Sequence, residues 1–199
     1  MQSPTRYTVI GAGHGGKSMA AHLAIMGFPT TLFNRTPERI APIAKRGGLD
    51  LECNDGGPCG FGHLQCVTSS YGEALTDADI IMVVTPSSAH REIAAACAPH
   101  LADGQIILLN PGRTCGAIEF AKVARDAGCK ADVTIAEAGT FIYAARSDGP
   151  AQARIFRIKE AVPLAALPAT RTARVLDGLA SAYPQFIDGG NVLLSLIHI

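Results

Sequence analysis

The chain has 199 residues, of which 48% are hydrophobic and 17% charged, a composition that builds a packed core and excludes a long disordered tail. Seventeen basic residues balance seventeen acidic ones, so the sequence carries no electrostatic footprint for nucleic acid or an anionic membrane. No apolar run is long enough to span a bilayer and the first six residues form no apolar signal core, so the expected location is the cytoplasm.

Tyr7-Thr8-Val9-Ile10 reads as a short buried strand that runs into Gly11-Ala12-Gly13-His14-Gly15-Gly16, with a helix expected over 17–26 and closed by Gly27. The glycines have separate tasks. Gly11 permits a tight turn, Gly13 lets the backbone approach a pyrophosphate, and Gly16 lets the helix pack close to the strand. The unpaired N–H groups of the helix's first turn, with its dipole, suit an anion. A second strand is expected over 29–33 and a helix over 37–46, ended by Gly47-Gly48. Such β/α alternation implies a parallel sheet.

Residues 49–53 and 64–68 read as two short strands joined by a glycine-rich turn, an edge hairpin inserted in that sheet, and 73–75 as a helical turn. The apolar run Ile80-Ile81-Met82-Val83-Val84 has the pattern of a strand covered on both faces. Pro86 stops it, and Ser87 can cap a helix reaching about Cys97. Residues 105–110 repeat the buried-strand pattern and end at Pro111-Gly112, followed by a helix over 117–127 and a strand over 133–136. Two further apolar stretches, 154–159 and 185–187, flank a helix over 172–182, and the proline-bracketed 162–168 is expected to be a turn of helix. The fold class that follows is α/β, a doubly wound Rossmann-like parallel sheet with an edge hairpin. Residues 1–190 are expected to form a single NAD(P)-binding domain.

The residue ending the second strand of such a fold faces the adenosine ribose, where an acidic side chain favours NAD. This chain has Asn34-Arg35-Thr36 there. Asn34 removes the carboxylate that would repel a 2′-phosphate, and Arg35 and Thr36 can donate hydrogen bonds to it, so NADP is favoured over NAD. In the alternative, Arg35 is a solvated loop charge and Asn34 touches a plain ribose.

The six cysteines lack paired C-x-x-C spacing and read as thiols. The stretch from Cys53 through Cys59 to His63 offers zinc-ligand chemistry without an evident fourth ligand, so no metal is expected. His14 lies in the glycine loop and can approach a cofactor or point to solvent. His90, at a helix start, suits a supporting role near the nicotinamide, whereas His22 and His100 read as ordinary helix residues. Gly16-Lys17-Ser18 matches the end of a P-loop, but Ala12 stands where that motif needs glycine.

Several strings together resemble the octopine/nopaline (opine) dehydrogenase family: Gly11-Ala12-Gly13-His14-Gly15-Gly16-Lys17, Asn34-Arg35-Thr36, Pro86 with Ala89-His90-Arg91-Glu92-Ile93, Leu109-Asn110-Pro111-Gly112-Arg113, Ala136-Glu137 with Thr140, and Ile158-Lys159. The likeness covers about residues 7–193, the family's N-terminal nucleotide-binding domain. It implies an NAD(P)-dependent oxidoreductase that condenses an amino acid with a 2-oxo acid and reduces the imine. Cofactor contacts are then expected from Gly11, Ala12, Gly13, His14, Gly15, Gly16, Asn34, Arg35 and Thr36. Further contacts are expected where strand ends converge on the nicotinamide, at Val84, Thr85, Pro86, Asn110, Pro111 and Glu137. Thr140 is the candidate substrate contact, or else a helix cap or loop threonine; the family often has Glu-Thr-Gln-Thr where this chain reads Glu137-Ala138-Gly139-Thr140.

The family's histidine and aspartate acid/base pair belongs to a C-terminal helical domain that follows a stretch like Asn191-Val192-Leu193. No catalytic residue is therefore expected in this chain, which alone should be inactive. Residues 191–199 are expected to be the start of that missing domain, with a truncated or non-native tail that includes His198. The expected partners are small-molecule substrates, without nucleic acid or membrane, and a homo-oligomer is allowed. The rival readings are a ketopantoate-, glycerol-phosphate- or 2-hydroxyacid-type reductase, which shares the nucleotide domain, or a dinucleotide-binding module without catalysis.

Overall fold

The computed structural model describes residues 3–113 and 115–193; the tail expected at 194–199, with His198, lies outside the described residues. In chain order the elements are β1 (Tyr7–Ile10), α1 (His14–Ile25), β2 (Thr30–Phe33), α2 (Pro37–Arg46), β3 (Gly48–Cys53), β4 (Gly60–His63), β5 (Cys66–Thr68), α3 (Tyr71–Leu75), β6 (Ile80–Val83), α4 (His90–Cys97), β7 (Ile106–Leu109), α5 (Gly116–Asp126), β8 (Thr134–Ala138), β9 (Tyr143–Gly149), β10 (Gln152–Ile158), β11 (Val162–Leu167), α6 (Thr172–Leu179) and β12 (Phe186–Asp188). They gather into two compact units, one of Met1–Asp79 with Tyr143–Ile158, the other of Ile80–Ile142 with Lys159–Ile199.

In the first unit β1, β2 and β5 are parallel neighbours, with Tyr7 opposite Thr30 and Phe33 opposite Thr68. All four residues of β1 are buried, as a strand covered on both faces requires. The α2 helix starts with Pro37 at its first position, turns Ile40 and Ile43 into the core and ends at Gly47, whose φ is 72°. A second sheet, ordered β4-β3-β10-β9, joins the antiparallel β3–β4 and β9–β10 hairpins through a parallel β3–β10 pairing. Helix α1 contacts strands of both sheets, which explains why eight of its residues, Lys17 and His22 included, are buried.

Three expectations change here. The hairpin exists, but its second strand is Gly60–His63 and it sits in the second sheet, while Cys66–Thr68 pairs with β2. Glycine makes this placement possible: a Cβ on Gly62 would stand 2.8 Å from the Ala21 carbonyl oxygen of α1. Strand β9 was not expected, because its alternating pattern leaves Ala144, Arg146 and Asp148 exposed and its sequence is small and polar. The start of α1 is His14 rather than residue 17, since the glycine loop itself supplies the first turn.

In the second unit the order is β12-β11-β8-β7-β6. Strands β6, β7 and β8 are parallel, and β11 runs antiparallel to β8 and parallel to β12. The expected helical turn at 162–168 is therefore strand β11. Val162, Leu164, Ala165 and Ala166 are buried, and such a short apolar run looks alike in a helix and a central strand. Exposed Pro163 lacks an N–H but joins the sheet through its carbonyl, which accepts from Gly139 N–H at 2.9 Å. Parallel strands alternating with helices in both units give the doubly wound, Rossmann-like α/β class expected from the sequence.

Candidate functional site

In the first unit the site is the turn between β1 and α1. Gly11 has φ 113°, and a Cβ on Gly16 would lie 1.7 Å from the Gly11 carbonyl oxygen, so the helix can approach the turn only with glycine at 16. A Cβ on Gly13, by contrast, would meet nothing within 4 Å, so Gly13 borders open space. Gly13 is the extended N-cap of α1, no side chain caps the helix and no acidic residue sits in its first turn. Lys17 N–H is the first to bond back, to the Gly13 carbonyl. The N–H groups ahead of it have no partner within the helix, which suits an anion.

Three side chains brace this turn. Asn34 Oδ1 accepts from Ala12 N–H at 3.2 Å, and its Nδ2 donates to the Thr36 carbonyl at 3.1 Å. Asn34 thus ties the glycine loop to the end of β2, a role the sequence did not reveal. His14 Nδ1 accepts from Ser147 N–H at 2.8 Å, so the ring proton belongs on Nε2 and makes that nitrogen a donor. Lys17 Nζ donates to Ser147 Oγ and to the Gly149 carbonyl, each at 3.0 Å. Arg35 is exposed, Thr36 caps α2 without a side-chain bond, and Gly15 is half-buried. A cavity of about 570 Å³ opens beside the loop and is lined by Gly13, His14, Lys17, Arg39, Ser147 and Pro150 among others. Lys17, Arg39 and Ser147 were not expected at the site. Ser147 lies 130 residues from Lys17 along the chain, and no local pattern links them.

The second unit gathers the expected strand-end residues. Asn110 N–H donates to the Val83 carbonyl at 2.9 Å, and Gly112 N–H to the Ala138 carbonyl at 3.2 Å. The Asn110–Pro111 peptide bond is cis. Asn110 is buried and donates from Nδ2 to the Leu108 carbonyl at 3.1 Å, while its Oδ1 and the buried Thr85 Oγ1 have no partner among the described residues. Val84 and Thr85 are half-buried and Pro86 is exposed. Ser87 starts a 3₁₀ turn, Ser87–Ala89, that leads into α4 without the side-chain cap expected of it.

Glu137 on β8 is 3% exposed. Its Oε2 accepts from Ala117 N–H, in the first turn of α5, at 2.7 Å. Burial pushes its pKa up to about 7, against the opposing pull of that hydrogen bond. Gly112 and Gly116 make room for it: a Cβ at 112 would stand 2.2 Å from Glu137 Cβ, and one at 116 would lie 3.5 Å from Oε2 and 3.7 Å from His90 Nδ1. His90 is buried, with Nε2 unpartnered among the described residues. Burial lowers its pKa, opposed by the Glu119 charge and a backbone hydrogen bond at Thr85. Thr140 Oγ1 accepts from Lys159 Nζ at 2.7 Å, so the candidate substrate contact is held by a cation. Among the described residues no group of three or more His, Cys, Asp or Glu can hold a metal ion, and no helix is long and apolar enough to cross a membrane.

A glycine turn at a parallel strand's end, an uncapped helix start and open space beside Gly13 define a dinucleotide-binding domain of the Rossmann-like class. The chain belongs to the family of the NAD binding domain of 6-phosphogluconate dehydrogenase, whose sequence model matches residues 6–131. It is also 38% identical over 187 residues to an opine dehydrogenase of Arthrobacter sp. (strain 1C), covering 94% of this chain and 51% of that protein. The fold is similar to octopine dehydrogenase solved with NADH and L-arginine, with a TM-score of 0.84 at 20% identity, over 98% of this chain and 51% of that one. It is similar too to yersinopine dehydrogenase with NADP+ bound, with a TM-score of 0.75 at 16% identity, over 96% and 49%. The chain spans about half the length of these relatives.

Proposed function

We propose that this chain is the nucleotide-binding part, residues 1–190, of an opine dehydrogenase-type oxidoreductase that uses NADP in preference to NAD. The observation that carries the reading is the β1–α1 turn: an uncapped helix start, an open face at Gly13 and a helix seated against Gly11 through Gly16. The 38% identity to the Arthrobacter enzyme supports the choice of chemistry.

In this reading the N–H groups of Gly13, His14, Gly15 and Gly16 hold the pyrophosphate, with Gly11 and Ala12 shaping the turn. Asn34 fixes the loop, and Arg35 and Thr36 meet the adenosine ribose and its 2′-phosphate. Val84, Thr85, Pro86, Asn110, Pro111 and Glu137 lie toward the nicotinamide, where the unpartnered Thr85 Oγ1 and Asn110 Oδ1 offer polar contacts to a bound group. When bound, NAD(P)H supplies the hydride that reduces an imine. Thr140, held by Lys159, contacts an amino-acid or 2-oxo-acid substrate. The acid and base that manage the imine nitrogen are placed in the part of the relatives that this chain does not span. The free thiols among the described cysteines suit a reducing cytoplasm.

Calorimetric titration of the 199-residue chain with NADPH and with NADH tests the reading, with imine reduction assayed on the same sample. The expected result is tighter binding of NADPH than NADH, without turnover. A folded sample that binds neither nucleotide overturns it.

A further inference from the structure

Lys17 is 8% exposed, yet its ammonium meets only neutral acceptors, Ser147 Oγ and the Gly149 carbonyl. Among the described residues no carboxylate pairs with it. An ammonium taken out of water without an opposite charge is unfavourable. Burial lowers the Lys17 pKa, and the like charge of Arg39 adds to that. Arg39 likewise has no ion-pair partner among the described residues. The acidic residue of the lining, Glu38, is exposed and pairs with neither cation. Two cations, the Nε2 donor of His14 and the uncapped start of α1 therefore line one cavity of about 570 Å³. Arg39 is exposed and solvated, so the charge that an added anion would serve is the buried one of Lys17.

We propose that Lys17 is the counter-charge for a phosphate group of the dinucleotide bound in this cavity, its ammonium held in place by the end of β9. The inference rests on the dinucleotide reading above and adds a binding residue and a supporting segment to it. The lysine of Gly16-Lys17-Ser18 thus neutralises a phosphate although the loop before it is not a P-loop. The phosphate is either the pyrophosphate common to both cofactors or the 2′-phosphate of NADP.

The test compares wild type with Lys17→Met, by calorimetry with NADPH and NADH and by thermal shift with inorganic pyrophosphate. NADPH affinity is expected to fall about ten- to a hundredfold, the usual range for one charge-assisted contact. A matching loss for NADH assigns the pyrophosphate, and a loss confined to NADPH assigns the 2′-phosphate. Unchanged affinity for both nucleotides overturns the inference and leaves the dinucleotide reading standing. If wild type binds neither nucleotide, the dinucleotide reading falls and pyrophosphate decides for Lys17. Protection of wild type but not of the variant upholds the anion site, and any other pattern overturns it. Lys17→Gln, which keeps a donor for Ser147 and Gly149 without the charge, carries the same test should the methionine variant not fold. Wild-type affinity in the glutamine variant also overturns the inference.

Discussion

Glu137 and His22 should give this protein two opposed pH dependences that conceal one another. Glu137 is held with a pKa raised from 4.5 to about 7, so the folded chain binds its proton more tightly than the unfolded chain does. Its stability contribution is full below pH 4.5 and is lost as pH rises toward 7. The ionisation penalty is about 1 kcal/mol near pH 5 and about 3 kcal/mol near pH 8, a difference of roughly 2 kcal/mol. His22, stacked on Tyr143 at 5.6 Å in the first unit, has its pKa lowered by burial from 6.5 to about 4. Its contribution is present above pH 6.5 and is lost as pH falls toward 4, again by roughly 2 kcal/mol between pH 8 and pH 5. As far as these two groups go, wild type should be nearly flat over that range. Glu137→Gln keeps an oxygen for Ala117 N–H and removes the titration. It should leave the His22 slope exposed, losing roughly 2 kcal/mol on going from about pH 8 to about pH 5 relative to wild type. With a urea dependence of about 2 kcal/mol per molar, that is a midpoint change of about 1 M between the two pH values. Parallel wild-type and Glu137→Gln midpoints across the range would refute the buried, proton-holding carboxyl.

The mirror variant, His22→Leu, should gain roughly 2 kcal/mol relative to wild type on acidification from about pH 8 to about pH 5, read by the same urea midpoints. Gly16→Ala places a methyl 1.7 Å from the Gly11 carbonyl oxygen; a loss of at least about 3 kcal/mol in equilibrium unfolding is expected, since backbone rather than a flexible side chain must move. An unchanged midpoint would mean that α1 is not seated on the turn as described. Asn34→Asp retains an acceptor for Ala12 N–H but sets a carboxylate at the end of β2, where the proposed reading places the ribose, and loses the donor to the Thr36 carbonyl. The ratio of NADPH to NADH affinity, measured calorimetrically, should fall by about tenfold, or about 1.4 kcal/mol, and a constant ratio would remove Asn34 from cofactor choice.

What the sequence made legible was local. The bounds of α2 could be read because Pro37, the Ile40/Ile43 spacing and Gly47 each mark a helix in its own immediate neighbourhood. The glycine loop was equally readable, because Gly11 and Gly16 are required by contacts within six residues. What escaped depends on partners distant in the chain. The 162–168 segment is a strand because β8 and β12 receive it on both sides, and nothing within the segment distinguishes that from a buried helical turn. The β9 strand has no apolar stripe, since three of its seven residues are exposed and only Tyr143 is buried, and its pairing comes from β10. The bonds of Asn34 to Ala12 and Thr36 give a structural reason for an amide there that the sequence hides: it accepts from one backbone group and donates to another, which a carboxylate cannot do. The same distance problem hid the charge of Lys17. Nothing near Lys17 in the sequence marks it as buried; only the end of β9, arriving more than a hundred residues later, meets its ammonium. That burial leaves the Lys17 ammonium among neutral acceptors beside the glycine loop, and under the proposed reading it is what brings the second sheet to the cofactor.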